Sequence, residues 1–158
     1  MTRSQETNSS KPQSRQRWIG LLAKAELAEL ESTWENLPHK PSFEFLRQPE
    51  TGLVMIQGRA GGSGHAFNMG EMTVTRCSIK LNDGFIGHGY VSGRDKRHAE
   101  FAALFDALMQ NESISEQLEQ GLLTGIESRI FLHKRDVATK TASTKVDFFT
   151  LTRGEDNC

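Results

Sequence analysis

The sequence lacks the marks of several large classes of protein. Its 158 residues include two cysteines, Cys77 and Cys158, which are too few for a disulfide framework. No apolar run approaches the roughly 20 residues that span a bilayer. Residues 1–14 contain no apolar block, so we expect no secretory signal. These absences predict a reduced, cytoplasmic protein.

Positive and negative charges are nearly balanced in the sequence. Lysine and arginine number 19, aspartate and glutamate number 20, and the formal net charge is −1. The chain also has a single tyrosine. This composition argues against a general nucleic-acid-binding protein. An anion site would have to come from local clustering of basic side chains.

Recognisable catalytic and metal-ligating sets are missing too. His65, His88 and His98 do not fall at zinc-site spacing, and Cys77 has no partner cysteine. No Ser-His-Asp or Cys-His set can be argued from the sequence. We therefore assign no catalytic residue and no metal ligand.

The first part of the chain changes from polar to helical to extended. Residues 1–14 are polar or charged and predict a disordered tail. Apolar residues spaced by three and four predict one amphipathic helix over 15–37. Short strands are predicted at 43–47 and 53–59, with a turn at 49–52 between them.

The central part is typical of a β-hairpin. The longest strand candidate, 72–81, is followed by Asn82-Asp83-Gly84, a strong turn signal. Residues 85–91 then form the returning strand.

Helical spacing returns after residue 95. A stripe over 101–109 and a second over 114–135 predict a helical hairpin, and 139–144 is predicted to be a polar connector. The sequence K-V-D-F-F-T-L-T-R at 145–153 predicts a final strand. The predicted fold is a single α+β domain over 15–158. In it, an N-terminal helix and a helical hairpin cover a mostly antiparallel sheet, and a C-terminal strand returns to that sheet.

Four glycines in seven positions mark the stretch G-R-A-G-G-S-G at 58–64. A strand precedes it, but no lysine and no helix follow, so it does not fit a Walker loop or a dinucleotide fingerprint. It is either a hairpin whose glycines supply positive φ or a point where a ligand or partner backbone approaches closely.

A better phosphate candidate is G-R-D-K-R-H-A-E at 93–100, where a strand gives way to a helix. Backbone N–H groups are free at the beginning of that helix. Four potentially cationic groups add positive charge there: Arg94, Lys96, Arg97 and His98. Asp95 is a good N-cap and would occupy some of those donors. The alternative is a capped helix start with a solvated charged face.

Two further arginines, Arg59 and Arg76, stand among apolar strand positions. A guanidinium in such a place needs a carboxylate, a phosphate or a partner. They are weaker candidates for phosphate binding, and an edge-facing or paired arginine is the alternative.

Four blocks of the sequence, in this order and spacing, resemble the PhnG family of the bacterial carbon–phosphorus lyase core complex. The resemblance runs from about Arg15 to Gly154 and is weakest over 113–144. The blocks are E-T-G-L-V-M-I-Q-G-R-A-G-G-S-G at 50–64, T-V-T-R-C-S-I-K-L-N-D-G at 73–84, G-R-D-K-R-H-A-E with A-L-F-D-A-L-M-Q at 93–110, and K-V-D-F-F-T-L-T-R-G at 145–154.

The resemblance implies a role in phosphonate catabolism. Family members act with PhnH, PhnI and the ATPase-like PhnL to displace adenine from ATP with an alkylphosphonate. The product is a ribose 1-phosphonate 5-triphosphate. PhnJ, an iron–sulfur radical enzyme, then breaks the carbon–phosphorus bond, and PhnK is a second ATPase-like partner. No cofactor is expected on this chain itself, and ATP with Mg²⁺ would be the substrate of the complex.

Three hypotheses therefore stand. The chain is a subunit of a phosphonate-processing transferase, with or without substrate contact. Otherwise it is a self-sufficient enzyme acting on phosphorylated metabolites, or a binding module without chemistry. The missing catalytic set argues against the self-sufficient enzyme.

Overall fold

The structure, a computed structural model, describes residues 10–143. The predicted final strand at 145–153 lies outside these residues, as do residues 1–9 of the predicted tail. The first helix already begins at Ser10.

The N-terminal segment forms two helices, α1 over Ser10–Leu22 and α2 over Leu27–Glu35. The prediction of one helix over 15–37 was wrong, because a new cap interrupts it. The N–H of Glu26 donates to the carboxylate of Glu29 at 2.9 Å, which closes a capping box at the beginning of α2. The apolar spacing continues through this break and so does not reveal it.

Three antiparallel strands form one sheet in the order β1-β2-β3: β1 is Phe43–Arg59, β2 is Ala66–Leu81 and β3 is Ile86–Ser92. The two predicted strands at 43–47 and 53–59 are a single bulged strand. Its register shifts between Phe45 and Arg47 and again between Arg47 and Glu50.

Pro49 lies between Arg47 and Glu50, where the register of β1 with β2 shifts. Proline is tolerated at such a bulge on an edge strand, because no ladder bond is required of its nitrogen there. The predicted turn at Asn82-Asp83-Gly84 is confirmed. Gly84 has a φ of 91°, and its N–H donates to the carbonyl of Leu81 at 2.8 Å.

The central helix, α3 over Lys96–Leu108, packs against the sheet and is buried without a break from Phe101 through Met109. Its close approach to β3 depends on Gly87 and Gly89. A Cβ on Gly87 would collide with the carbonyl oxygen of Ala103, and a Cβ on Gly89 with that of Ala99. Glycines on the strand and alanines on the helix therefore set the distance between the two layers.

The second helical stripe is a continuous helical run made of α4 (Glu112–Leu118), a π-helical turn (Glu119–Leu123) and α5 (Thr124–Ser143). The Asn111 carboxamide oxygen caps α4 by accepting from the N–H of Ser113 at 3.1 Å. The connector predicted at 139–144 is helical through Ser143, so that prediction was wrong over the described residues.

The α+β class and the mostly antiparallel sheet are confirmed. The described residues up to Glu127 form one compact unit, which contains the sheet with α1 to α4. From Ser128 a second unit begins; its described part is the rest of α5, with exposed side chains over 131–142. Within the described part of the chain, no helix is both long and apolar enough to cross a membrane.

Candidate functional site

The link between β3 and α3 is held by β2. Gly93 has a φ of 91°, a conformation that favours glycine. Its N–H donates to the carbonyl of Thr73 at 2.9 Å, and its carbonyl accepts from Thr75 Oγ1 at 2.8 Å. Asp95 then caps α3 by accepting from the N–H of His98 at 3.0 Å. The position of the following basic residues is therefore set by the sheet and not by a free loop.

Arg94 and Lys96 flank this cap and are exposed. Neither side chain has a hydrogen bond or ion pair with another residue in the described range. Arg97, in contrast, is committed to Glu31 at 2.6 Å, and its guanidinium lies 5.7 Å from the ring centroid of Phe101. Arg94 and Lys96 are thus the cations of this segment that remain available to an anion.

His98 serves a contact within the fold. Its Nε2 lies 2.9 Å from the carbonyl oxygen of Leu22, which fixes Nε2 as the protonated donor. This bond joins the end of α1 to the first turn of α3. A substrate role for His98 stays a prediction, and binding an anion through Nε2 would first have to break this bond.

Arg76 lies on the face of the sheet opposite α3. Its Nε donates to Glu50 at 2.7 Å, and Arg47 donates to the same carboxylate at 2.5 Å. The two guanidinium groups lower the pKa of Glu50 below its ordinary value, and the hydrogen bond from Arg47 makes the largest contribution. Arg76, which we predicted to need a carboxylate, a phosphate or a partner, is therefore paired with a carboxylate. A phosphate-binding role for Arg76 stays a prediction.

Arg59 is far from the other candidates. It ends β1 opposite Ala66, and its Nη1 donates to the carbonyl of Gly64 at 3.2 Å. Between them, Gly61 and Gly62 have φ values of 60° and 80°, so the glycine run is a hairpin turn. The strands place Arg59 about 20 Å along the ladder from the segment that holds Arg94, at about 3.3 Å a residue.

One buried acid was missed by the sequence reasoning. Asp106 is fully buried and accepts four hydrogen bonds. Its Oδ1 accepts from Arg15 Nε at 3.1 Å and Trp18 Nε1 at 2.8 Å. Its Oδ2 accepts from Arg15 Nη2 at 2.7 Å and the N–H of His88 at 2.8 Å. An aspartate inside the apolar stripe A-L-F-D-A-L is the signal that could have found it.

A thiol is also buried in the described part of the chain. Burial raises the pKa of Cys77 to about 11, with a smaller contribution from the negative charge of Glu100. The thiol is therefore neutral near pH 7 and is a poor nucleophile or metal ligand there. In the part of the chain that the structure describes, no three His, Cys, Asp or Glu side chains come together as a metal site.

Comparison with known proteins identifies the family. The family model described as phosphonate metabolism protein PhnG matches residues 13–154. A curated relative from Rhizobium meliloti (strain 1021) is 44% identical over 142 residues, which cover 90% of each chain. It is named α-D-ribose 1-methylphosphonate 5-triphosphate synthase subunit PhnG. The chain belongs to the PhnG family.

All five basic candidates lie within the region that matches the PhnG model. Of these five in the PhnG-family chain, Arg94 and Lys96 are exposed and have no hydrogen bond or ion pair with another described residue. The chain's buried carboxylate is saturated by donors, and its buried thiol is held neutral. Neither of these two buried groups is therefore poised for proton transfer or nucleophilic attack.

Proposed function

We propose that this chain is a subunit of an α-D-ribose 1-methylphosphonate 5-triphosphate synthase in phosphonate catabolism. The observation that carries the proposal is the 44% identity to such a subunit over 90% of both chains. The complex transfers the ribose triphosphate moiety of ATP to an alkylphosphonate and releases adenine. ATP with Mg²⁺ is the substrate of the complex, the chain binds no cofactor of its own, and the setting is cytoplasmic.

The partners in this proposal are PhnH, PhnI and PhnJ of the core complex, together with the ATPase-like PhnL and PhnK. Tagging the chain in its native operon and purifying it tests this directly. Recovery of operon-encoded subunits in fixed stoichiometry supports the proposal. Recovery of the chain alone contradicts it and favours a self-sufficient protein.

Within the complex, we propose that Arg94 and Lys96 face the phosphate groups of the substrate. They are exposed, uncommitted to other described side chains, and carried on a turn that hydrogen bonds to β2 hold in place. Cations held in this way neutralise charge and orient a polyphosphate without large rearrangement. Arg59, Arg76 and His98 each make a contact within the chain, so they are secondary candidates.

A growth assay tests the substrate contact. In a strain that depends on this chain for phosphonate use, Arg94→Ala with Lys96→Ala should slow growth on methylphosphonate at least tenfold and leave subunit recovery unchanged. The matched control is Lys134→Ala with Arg135→Ala, another exposed pair of neighbouring cations. Normal growth of the first double variant would leave an assembly subunit with no substrate contact, which is the second candidate function.

That second candidate is favoured by one observation. Among the described residues, the buried acid Asp106 and the buried thiol Cys77 are both engaged in the fold, whereas several large apolar side chains of β1 and β2 are exposed. Such a surface is typical of a chain whose main task is assembly.

A further inference from the structure

Two strands of the sheet continue well beyond the third. β3 ends at Ser92, which pairs with Val74, whereas β1 and β2 continue as a two-stranded ladder from Leu53–Thr73 to Arg59–Ala66. We call residues 53–73 the apolar arm. Two-stranded ladders are marginal by themselves in water and usually need a covering surface.

Large apolar side chains are exposed on this arm. The covered half of β2 buries Cys77, Ile79 and Leu81 against the helical layer. On the arm, five large side chains are 40 to 63% exposed: Leu53, Met55, Phe67, Met69 and Met72. A large apolar side chain that is fully exposed presents about 200 Å², so the five partly exposed side chains together present on the order of 500 Å² of apolar surface. That is a large part of the roughly 800 Å² that each partner buries in a standard interface.

Exposed apolar groups lie on both faces of the arm. Leu53 and Met55 share one face, because alternate residues of a strand point the same way. Val54 lies between them and points to the other face, and its cross-strand partner Met72 points with it. A covering surface on one side would therefore leave exposed methionine or leucine on the other.

The second face extends to the glycine run. Gly58 pairs with Phe67, and a Cβ on Gly58 would collide with Met69 Sδ and lie 2.8 Å from its Cγ. The absence of a side chain at Gly58 is what lets Met69 lie across the ladder beside Phe67. The first glycine of the run thus shapes an apolar surface.

We infer that the apolar arm inserts into an apolar groove of another subunit of the synthase, which encloses both of its faces. The inference rests on the proposed function, since it takes the partner to be one of the complex's own subunits. Over residues 53–73 the formal charges are Arg59 and Glu71, one of each sign, so the groove that fits is mainly apolar and has no large net charge. Glu71 pairs across the ladder with Met55 and needs a cation or water at the edge of that groove. Three of the five exposed side chains are methionines, which adapt to irregular surfaces.

A second copy of this chain fits the arm less well. An isologous contact lays one face of the arm against the same face of its partner and leaves the opposite face in water. Enclosure of both faces needs a surface of different shape, which a different subunit supplies.

Paired variants test each face separately in the complex purified through a tag on this chain. One variant combines Leu53→Thr with Met55→Thr, and the other combines Phe67→Thr with Met69→Thr. Threonine keeps the strand propensity and removes the apolar surface. Each variant should lower recovery of the contacting subunit at least tenfold, with an unchanged circular dichroism spectrum.

The control is Tyr90→Thr, which removes an exposed aromatic side chain from β3 outside the arm and should not change recovery. A photo-crosslinking amino acid placed at Met55 or at Phe67 should give an adduct with the same operon-encoded subunit. Adducts with two different subunits, or an effect of one face alone, would overturn the enclosing groove.

Full recovery with both arm variants would overturn the inference while leaving the proposed function intact. If the tagged wild-type chain purifies only with further copies of itself, the proposed function fails. The identification of the arm's partner as a synthase subunit then fails too. Crosslinks between two copies within an otherwise complete complex would identify the second copy as the occupant and overturn only the inference.

Discussion

Replacing Asp106 by asparagine removes a buried carboxylate that connects α1, β3 and α3. In the wild type both of its oxygens accept two hydrogen bonds, from Arg15, Trp18 and the N–H of His88. An asparagine turns one oxygen into an NH₂ group, which faces donors in either orientation. At least one N–H is left without an acceptor, and Arg15 loses its counter-ion.

The magnitude follows from these contacts. Breaking a buried ion pair by removing one partner costs about 3–5 kcal/mol, and an unsatisfied buried donor about 1–3 kcal/mol. The Arg15 side chain is 33% exposed and so keeps part of its hydration. We therefore expect a loss of about 3 kcal/mol in the free energy of unfolding, a large share of the roughly 5–15 kcal/mol of an ordinary domain.

Urea unfolding followed by tryptophan fluorescence measures this loss, because Trp18 donates directly to Asp106. The matched control is Glu50→Gln, the same chemical change at an exposed carboxylate held by Arg47 and Arg76. The control should shift the urea midpoint little, since surface ion pairs contribute little. Equal urea midpoints for the two variants would refute the conclusion that Asp106 stabilises the fold by connecting α1, β3 and α3.

Two further outcomes are expected. Gly89→Ala should lower the free energy of unfolding by about 1–3 kcal/mol, because the added Cβ collides with helix backbone. Gly52→Ala is the control in thermal denaturation, since the space around Gly52 is open. Equal melting temperatures for the two variants would contradict this packing. Because burial raises the pKa of Cys77 to about 11, a chain with Cys158→Ser should react slowly with iodoacetamide at pH 8 when folded and quickly in urea. Equal folded and unfolded rates would contradict the buried, neutral thiol.

Regular patterns with local causes were predictable from the sequence. The hairpin at Asn82-Asp83-Gly84 follows from turn chemistry, and the central helix follows from its apolar stripe. The break between α1 and α2 was not predictable from spacing, because the apolar period continues across it. The Pro49 region was misjudged for a related reason: proline signals a turn, but an edge strand accommodates it through bulges.

The contacts that position the candidate site form between residues far apart in the sequence, so they exist only once the helices pack on the sheet. Nothing near Gly87 or Gly89 in the sequence shows that helix backbone lies directly against them. Likewise the partner of His98 is a carbonyl 76 residues away, and Asp106 takes its donors from two other elements, α1 and β3. Sequence identified Arg94 and Lys96 by charge, but the hydrogen bonds that place them come from β2.

Those hydrogen bonds also connect the two surfaces that the complex would use. The N–H of Gly93 donates to the carbonyl of Thr73, the residue at which β2 leaves the apolar arm, so Arg94 lies at the base of the arm. A subunit that encloses the arm therefore brings its own residues beside Arg94 and Lys96. Under the proposed function, a site at that junction would take its cations from this chain. The described surface that carries positive charge would then lie next to the surface that offers apolar contact, while the buried acid and thiol stay committed to the fold.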